Sequence, residues 1–358
     1  MDIEVIKVPE GQRKPISKDD LSLGFGRLFT DHMFTMKYAP DKGWHDARIE
    51  PHHALELDPA CMVLHYSQEA FEGLKAYHGP DGGVYLFRHM MNLQRLNRSC
   101  RRLVIPELPL DFVSDALKQL VLVDKEWIPH TEGCSLYIRP NVIATDPYLG
   151  VRPSDTYLFY IIMSPVAAYY PEGFNPVKIW VSDDYVRAAF GGVGEAKTGG
   201  NYAAGLKAQT EAKKSGFTQV LWLDAKERKY IEEVGTMNIF FIFDDELVTS
   251  PLTGSILPGV TRDSVLKIGK HWGMTVNERM ISIDEVMEGA KSGRLKECFG
   301  SGTAAIISPV KAIKYKDELV TVGNGGTGPI AQKLYDHILG LQLGKVADPF
   351  DWVVRLDA

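Results

Sequence analysis

Short apolar segments alternate with turns along the chain, and the spacing within each segment separates strands from helices. Val84–Phe87 follows the turn Pro80-Asp81-Gly82-Gly83 and reads as a strand. Leu93, Leu96, Cys100 and Leu103 recur at helical spacing, which predicts an amphipathic helix over Asn92–Leu103. Asp111 offers an N-cap for a second helix through about Lys125, and strands follow at Ser135–Arg139 and Thr156–Met163. Residues 1 to about 45 show no such pattern and read as loop-rich. Further on, a strand is predicted at Val177–Ser182, a helix from about Tyr202 closed by Gly216, and a strand at Gln219–Leu223. Asn238–Phe243 and Leu247–Ser250, joined through Asp244-Asp245, read as a hairpin. The last helix begins near Pro329, whose missing N–H is no loss in a first turn, and reaches the region of Gly340.

One stretch interrupts this pattern. Ser164–Pro176 contains Pro165, Pro171, Gly173 and Pro176, which neither a helix nor a central strand tolerates. With 358 residues the chain exceeds what one hydrophobic core ordinarily holds, so the break reads as a linker at 166–176 between domains at 1–165 and 177–358. Apolar content of 45% and charge of 24% are ordinary for a globular protein, and no apolar run is long enough to span a bilayer. A net charge of -6 without basic clusters argues against a nucleic-acid partner. Met1-Asp2-Ile3-Glu4 lacks a basic and apolar signal region and carries acids that transit peptides avoid, so a cytoplasmic protein is expected. Cys61, Cys100, Cys134 and Cys298 are too far apart for a local zinc ribbon or redox pair and read as buried small apolar residues. His52 and His53 are adjacent, which suits no helical ligand pair, and no metal is expected.

The candidate chemistry centres on Gly194-Glu195-Ala196-Lys197-Thr198-Gly199-Gly200-Asn201-Tyr202. Glycines allow close approach of backbone and cofactor, and a lysine held away from bulk water can act as a nucleophilic amine that forms a Schiff base. A lysine in a Gly-rich loop is more often merely solvated, so the stretch does not decide the matter by itself. It also nearly spells the phosphate loop G-x-x-x-x-G-K-[ST] from Gly191, but Ala196 breaks the match. No apolar strand abuts Gly191, and Gly199 and Gly200 stand where such a loop's helix should already run. Three further elements suit an anionic cofactor. Gly259-Val260-Thr261 opens a helix whose free N–H groups favour a phosphate. Phe299-Gly300-Ser301-Gly302-Thr303-Ala304 is a second Gly-rich turn with hydroxyls. Glu233, in Glu233-Val234-Gly235-Thr236-Met237-Asn238, precedes a strongly apolar strand, where a charge is costly unless a cation awaits it.

A series of segments covering nearly the whole chain resembles, in order and spacing, the branched-chain amino acid aminotransferases, pyridoxal-phosphate enzymes of fold type IV. The segments are Phe29-Thr30-Asp31-His32-Met33, Leu64-His65-Tyr66-Ser67, Phe71-Glu72-Gly73, Leu136-Tyr137-Ile138-Arg139-Pro140, the Lys197 loop, Glu233 to Asn238, Leu257-Pro258-Gly259-Val260-Thr261-Arg262, and Phe299 to Ala304. The resemblance implies an α+β, two-domain, D-amino acid aminotransferase-like fold, with a small N-terminal domain and a larger C-terminal domain that binds pyridoxal 5'-phosphate. It implies reversible, ping-pong transfer of the amino group of L-leucine, L-isoleucine or L-valine to 2-oxoglutarate.

By the same resemblance, Lys197 would carry the cofactor as a Schiff base and move the substrate proton. Glu233 would pair with the pyridine nitrogen, and Tyr202 would bond the phenolic oxygen. Arg95, Val260, Thr261 and Thr303 would hold the phosphate. Taken alone, Arg95 reads only as a solvated arginine among Arg98, Arg101 and Arg102. Phe25, Tyr66, Phe71, Tyr137 and Tyr169 would enclose the aliphatic side chain. Thr236, counted with both cofactor and substrate, would take the substrate carboxylate with the backbone at Thr303 and Ala304. Arg139 would accept the distal carboxylate of glutamate. Leu149 and Val151 match a loop that reaches the neighbouring subunit's pocket, which implies a homodimer. Where mammalian-type members carry a redox Cys-x-x-Cys, this chain has Ala305-Ile306-Ile307-Ser308, which rules out thiol regulation there. A D-amino acid aminotransferase, an aminodeoxychorismate lyase and a binder without turnover are the alternatives. The long N-terminal segment, the aromatic set and the Lys197 and Glu233 pair weigh against them.

Overall fold

In the computed structural model, which describes residues 1–16, 19–167 and 174–356, the long paired strands Ser135–Ala144 and Tyr157–Val166 alternate buried and half-buried residues over most of their length. A pleated sheet with one covered face requires that alternation. In chain order the first elements are β1 (Glu4–Val5), β2 (His32–Ala39), β3 (Gly43–Pro51), α1 (Met62–Tyr66), β4 (Glu69–Phe71), β5 (Leu74–His78), β6 (Val84–Phe87), α2 (His89–Arg102), α3 (Leu110–Val123), β7 (Ser135–Ala144) and β8 (Tyr157–Val166). Then come β9 (Val177–Val181), α4 (Gly199–Lys214), β10 (Gln219–Leu223), β11 (Ile231–Val234), β12 (Met237–Phe243), β13 (Glu246–Thr249), α5 (Val260–His271) and β14 (Thr275–Glu278). The last are α6 (Ile283–Ser292), β15 (Leu295–Gly302), β16 (Ile306–Tyr315), β17 (Glu318–Thr321), α7 (Pro329–Gln342) and β18 (Val353–Arg355).

The chain divides into two compact units. One comprises Met1–Tyr169, Ala196–Gly199 and Gly340–Ala358, and the other Tyr170–Glu195 and Gly200–Leu339. Two segments that the linear reading assigned to the second half, the lysine loop and the C-terminal stretch, therefore fall in the first unit. The first unit's sheet has the order β1-β3-β2-β8-β7-β5-β6-β18, with β4 also paired to β7. Its covered face packs Leu136, Ile138, Phe159 and Ile161 into one cluster with Leu93, Leu96 and Cys100 of α2 and Leu117 and Leu120 of α3. The opposite face of the same strands carries Tyr137, Arg139, Asn141 and Tyr160, all half-buried.

The second unit's sheet runs β11-β10-β9-β16-β15-β12-β13-β14, and a further pairing of β11 with β12 closes the first six strands into a ring. β12, Met237–Phe243, is buried at every position. Phe240 stacks on Phe299 of β15 with ring centroids 5.4 Å apart. Ala208 and Ala212 of α4 pack on Val220 and Trp222.

Several expectations need correction. Residues 1 to about 45 are not mainly loop: β2 is central in its sheet, and its first five residues are all buried, so no alternation betrays it. Pro140 and Pro165 lie inside strands. The Pro140 carbonyl accepts from Glu72 N–H where β5 has ended and β4 has not begun, so a proline nitrogen on that side costs the ladder nothing. Pro165 faces past the end of the β2 pairing, which stops at Phe34 opposite Ile161. The 166–176 linker lies partly outside the described residues. Asp111 sits in the first turn of α3 and not at its N-cap, which is Pro109. α4 starts at Gly199, so of the arguments against a phosphate loop, the delayed helix does not stand, whereas the Ala196 mismatch does. Phe299–Gly302 end a strand, and the turn itself is Thr303 to Ala305. The four cysteines are free and buried.

Phe240→Ala is expected to cost about 3–5 kcal/mol, because the ring is fully buried against Phe299 and its removal leaves a cavity in the ringed sheet. Urea unfolding measures it, and a loss below about 1 kcal/mol would place Phe240 outside a packed core.

Candidate active site

In the first unit the lysine loop is tied down on both backbone sides. Lys197 N–H donates to Ser99 Oγ at 2.9 Å, and its carbonyl accepts from Phe71 N–H at 3.0 Å. The ammonium then lies 4.6 Å from the centre of the Phe71 ring. Ser99 belongs to a polar stripe on α2, because Asn92, Arg95 and Ser99 follow one another at helical spacing beside the apolar stripe. All three are buried.

Arg95 is thus no solvated arginine. Its Nε and Nη2 donate to the two carboxylate oxygens of Glu72 at 2.7 and 2.9 Å, and Asn92 adds a third donor at 2.9 Å. Burial pushes the Glu72 carboxyl up, but the charge and hydrogen bond of Arg95, with help from Lys197 and Asn92, outweigh it and hold it below the usual carboxylate range.

The half-buried face of the first sheet gathers most of the expected pocket. Phe25 meets Tyr137 edge-on with centroids 4.9 Å apart. Arg139 Nη2 donates to the Tyr137 hydroxyl at 2.9 Å, and its guanidinium sits 4.8 Å from the Phe71 ring centre. A Cβ on Gly73 would lie 2.0 Å from the Tyr137 hydroxyl, so only glycine fits there. Tyr66 turns its hydroxyl to the Leu149 carbonyl. Leu149 and Val151 stand 62% and 85% exposed. Tyr169 lies outside the described residues.

In the second unit Glu233 is buried on β11 and lies 2.7 Å from Arg187 Nε. Its other oxygen accepts from Leu257 N–H at 2.7 Å and from Asn238 Nδ2 at 3.3 Å. Arg187 Nη2 in turn donates to the carbonyls of Gly194 and Ser255 at 2.9 and 3.0 Å. Neighbouring Glu232 accepts from Ser255 Oγ, and burial is the main reason its carboxyl is raised. Asn238 also reaches the start of α5: a Cβ on Gly259 would lie 2.1 Å from its Oδ1. Gly259, the N-cap, supplies no side chain to the first N–H groups, and Val260 and Thr261 behind it are buried. Asn238 pairs with Ser301 across the β12–β15 ladder, which brings the Thr303 and Ala304 turn to this end of the sheet. Thr236 is exposed in the β11–β12 turn, and Tyr202 is half-buried in the first half of α4.

Expected residues therefore collect into two groups, one per unit: Lys197, Arg95, Phe71, Tyr137, Arg139 and Phe25 in the first, Glu233 with the α5 start and the β15 end in the second. Glu72, Arg187, Asn92, Ser99 and Asn238 were not singled out as functional from sequence. The polar stripe at 92, 95 and 99 is a readable signal, and so is the cation that a buried Glu233 demands. Nothing local marks Arg187 as that cation, 46 positions earlier.

The family model of class IV amino-transferases matches residues 69–313. Branched-chain-amino-acid aminotransferase 2 of Bacillus subtilis strain 168 is 56% identical over 355 residues, 99% of this chain and 98% of its own. The solved branched-chain amino acid aminotransferase of Escherichia coli has a TM-score of 0.76 at 28% identity, covering 91% of this chain and 99% of its own. The T.th. branched-chain amino acid aminotransferase, solved with pyridoxamine 5'-phosphate, has a TM-score of 0.75 at 25% identity, over 90% and 98%.

Arg187→Met should lower stability at neutral pH by about 3–5 kcal/mol, because it strands the buried Glu233 carboxylate. Chemical denaturation reads this directly. A loss under about 1 kcal/mol, the range of exposed ion pairs, would contradict the pairing described.

Proposed function

The chain belongs to the class IV amino-transferases, and we propose that it interconverts L-leucine, L-isoleucine and L-valine with their 2-oxo acids, exchanging the amino group with 2-oxoglutarate and L-glutamate. The observation that carries the substrate reading is the half-buried sheet face where Phe71 and Tyr137 flank the Arg139 guanidinium and Phe25 meets Tyr137 edge-on. Such a wall suits an aliphatic side chain, and the Arg139 guanidinium within it suits the distal carboxylate of glutamate.

Pyridoxal phosphate is the cofactor. The residues fit it: a lysine fixed through its own backbone, a buried carboxylate that keeps a guanidinium, and a buried helix start without a side-chain cap. When bound, it supplies an electron sink for the charge that develops on the substrate's α-carbon. Lys197 would hold it and serve as the base that takes the α-proton at Nζ and passes it on to the cofactor side. Phe71 keeps water from one side of that amine. Glu233 would hold a proton on the ring nitrogen, and Arg187, 2.7 Å away, holds that carboxylate in place. Tyr202 would donate to the phenolic oxygen. Arg95, Thr303 and the N–H groups of Val260 and Thr261 would take the phosphate. Thr236 and the backbone of Thr303 and Ala304 would orient the substrate carboxylate, and Tyr66 would close the aromatic wall.

A homodimer belongs to the same proposal. Tyr148, Leu149 and Val151 present an exposed apolar loop, which a second copy would cover. Among the described residues no helix is long and apolar enough to cross a membrane.

Lys197→Ala should abolish transamination while the purified protein still retains pyridoxal phosphate noncovalently. Absorbance of the retained cofactor and an assay with L-leucine and 2-oxoglutarate measure the two together, and substantial turnover in the variant would move the base elsewhere. Leucine, isoleucine and valine should react within about two orders of magnitude of one another, since a methylene in an apolar pocket changes specificity by about 10 to 200-fold. Faster turnover of D-alanine or D-glutamate would overturn the branched-chain reading. Arg139→Met should slow single turnovers with L-glutamate on the order of 100-fold more than those with L-leucine, because only glutamate brings a charge that would be left unpaired. An equal drop would reduce Arg139 to a support of the wall.

A further inference from the structure

Glu69 stands two residues before Phe71 on β4, so the strand pleat places both on the face that carries Arg139. The register with β7 sets Phe71 opposite Asn141, one pleat from Arg139 on the same face. Lys197 reaches this face from the lysine loop. The same face also carries the cation Lys75 on β5, opposite Tyr137, and the acid Glu50 on β3, which accepts from the Thr35 hydroxyl of β2.

The groups around Glu69 are well defined. Its carboxylate accepts from Gly199 N–H at the start of α4, and a Cβ on Gly199 would lie 2.7 Å from that oxygen, so the approach requires glycine. The Thr198 hydroxyl is a second donor, and Arg139 and Lys197 act on it through their charges. From β8, Tyr160, which takes a hydrogen bond from Asn141 at 2.9 Å, feels Glu69 as a like charge. Burial raises the Glu69 carboxyl, and the Gly199 N–H, Arg139, Lys197 and Thr198 only partly oppose it.

We propose that Glu69 is a specificity-determining residue: ionised, it offsets the positive field of Arg139 and Lys197, and so disfavours a substrate with a second carboxylate relative to one with an aliphatic branch. The proposal rests on the transaminase reading above. A leucine side chain carries no charge and is indifferent to the offset. The γ-carboxylate of glutamate must approach Arg139 against it. Because the carboxyl is raised, protonation removes the offset as pH falls through that raised value, and the preference shifts toward the dicarboxylic substrate on the acid side.

Glu69→Gln tests this, since the amide keeps an oxygen for Gly199 N–H and removes only the charge. Single-turnover rate constants for L-glutamate and L-leucine on the holoenzyme should give a glutamate-to-leucine ratio about tenfold higher in the variant at pH 8. In wild type that ratio should rise as pH falls through the raised carboxyl, and in the variant this rise should be absent. A readout without turnover is the competition between glutarate and 4-methylpentanoate for the holoenzyme. The ratio of their dissociation constants should move about tenfold toward glutarate in the variant. An unchanged ratio in both measurements would make Glu69 only a holder of the α4 start and overturn the proposal. Should Glu69→Gln not fold, Glu69→Ala is read the same way at pH 8, and an unchanged ratio of the two dissociation constants overturns the proposal. Failure of the transaminase reading looks different: wild type would turn over neither amino acid, whatever the binding ratio shows.

Discussion

Two buried carboxylates that each need a guanidinium are the constraint on which the candidate chemistry depends. Glu72 meets Arg95 through two hydrogen bonds, and Glu233 meets Arg187 at 2.7 Å. Removing one partner of such a pair costs about 3–5 kcal/mol, so neither pair can drift without its unit losing much of its stability. Each pair also fixes backbone that matters. Arg95 shares its helical stripe with Ser99, which holds Lys197 N–H. Arg187 carries the carbonyls of Gly194 and Ser255, while Glu233 takes the N–H of Leu257. The ion pairs thus position loops as well as charges, which is a use of buried charge that apolar residues of equal volume could not replace.

Around the first pair, a sheet with one covered face divides the labour. The covered side packs Leu136, Ile138 and Phe159 against α2 and α3. The other side exposes a mostly aromatic wall whose polar groups are few and placed by the pleat: Arg139 on β7, Tyr160 on β8 and Glu69 on β4. Alternation along a strand is therefore what brings an aliphatic-friendly surface and its charged exceptions to one place. The proposed reaction requires both, because the two amino acids it would exchange differ in whether their side chain is charged.

Much of this is legible in the residues alone. The hairpin at β12–β13, the start of α5 and the stop after α4 carry local signals that tertiary packing does not override. β2 is not legible, because burial on both faces erases the period of two. Pro140 and Pro165 mislead, since a proline is harmless in a strand wherever its nitrogen faces no partner, and only the topology shows where that is. The two groups of candidate residues are legible as a list of motifs. Their buried partners are not, because Arg187, in the loop after β9, meets Glu233 of β11 through the tertiary fold, which no local pattern encodes. Glu69 escapes for the same reason: no local pattern shows that the fold brings it to the Gly199 N–H and within the field of Arg139.

The central claim is that Lys197, fixed through Ser99 and Phe71, is the amine that carries the cofactor. The competing amine is Lys75 on β5, which is buried and whose pKa burial lowers to about 8. Borohydride reduction of the holoenzyme, followed by peptide mass spectrometry, decides between them. The phosphopyridoxyl group should be found on the peptide containing Lys197. Its recovery on Lys75, or on no lysine, would contradict the account.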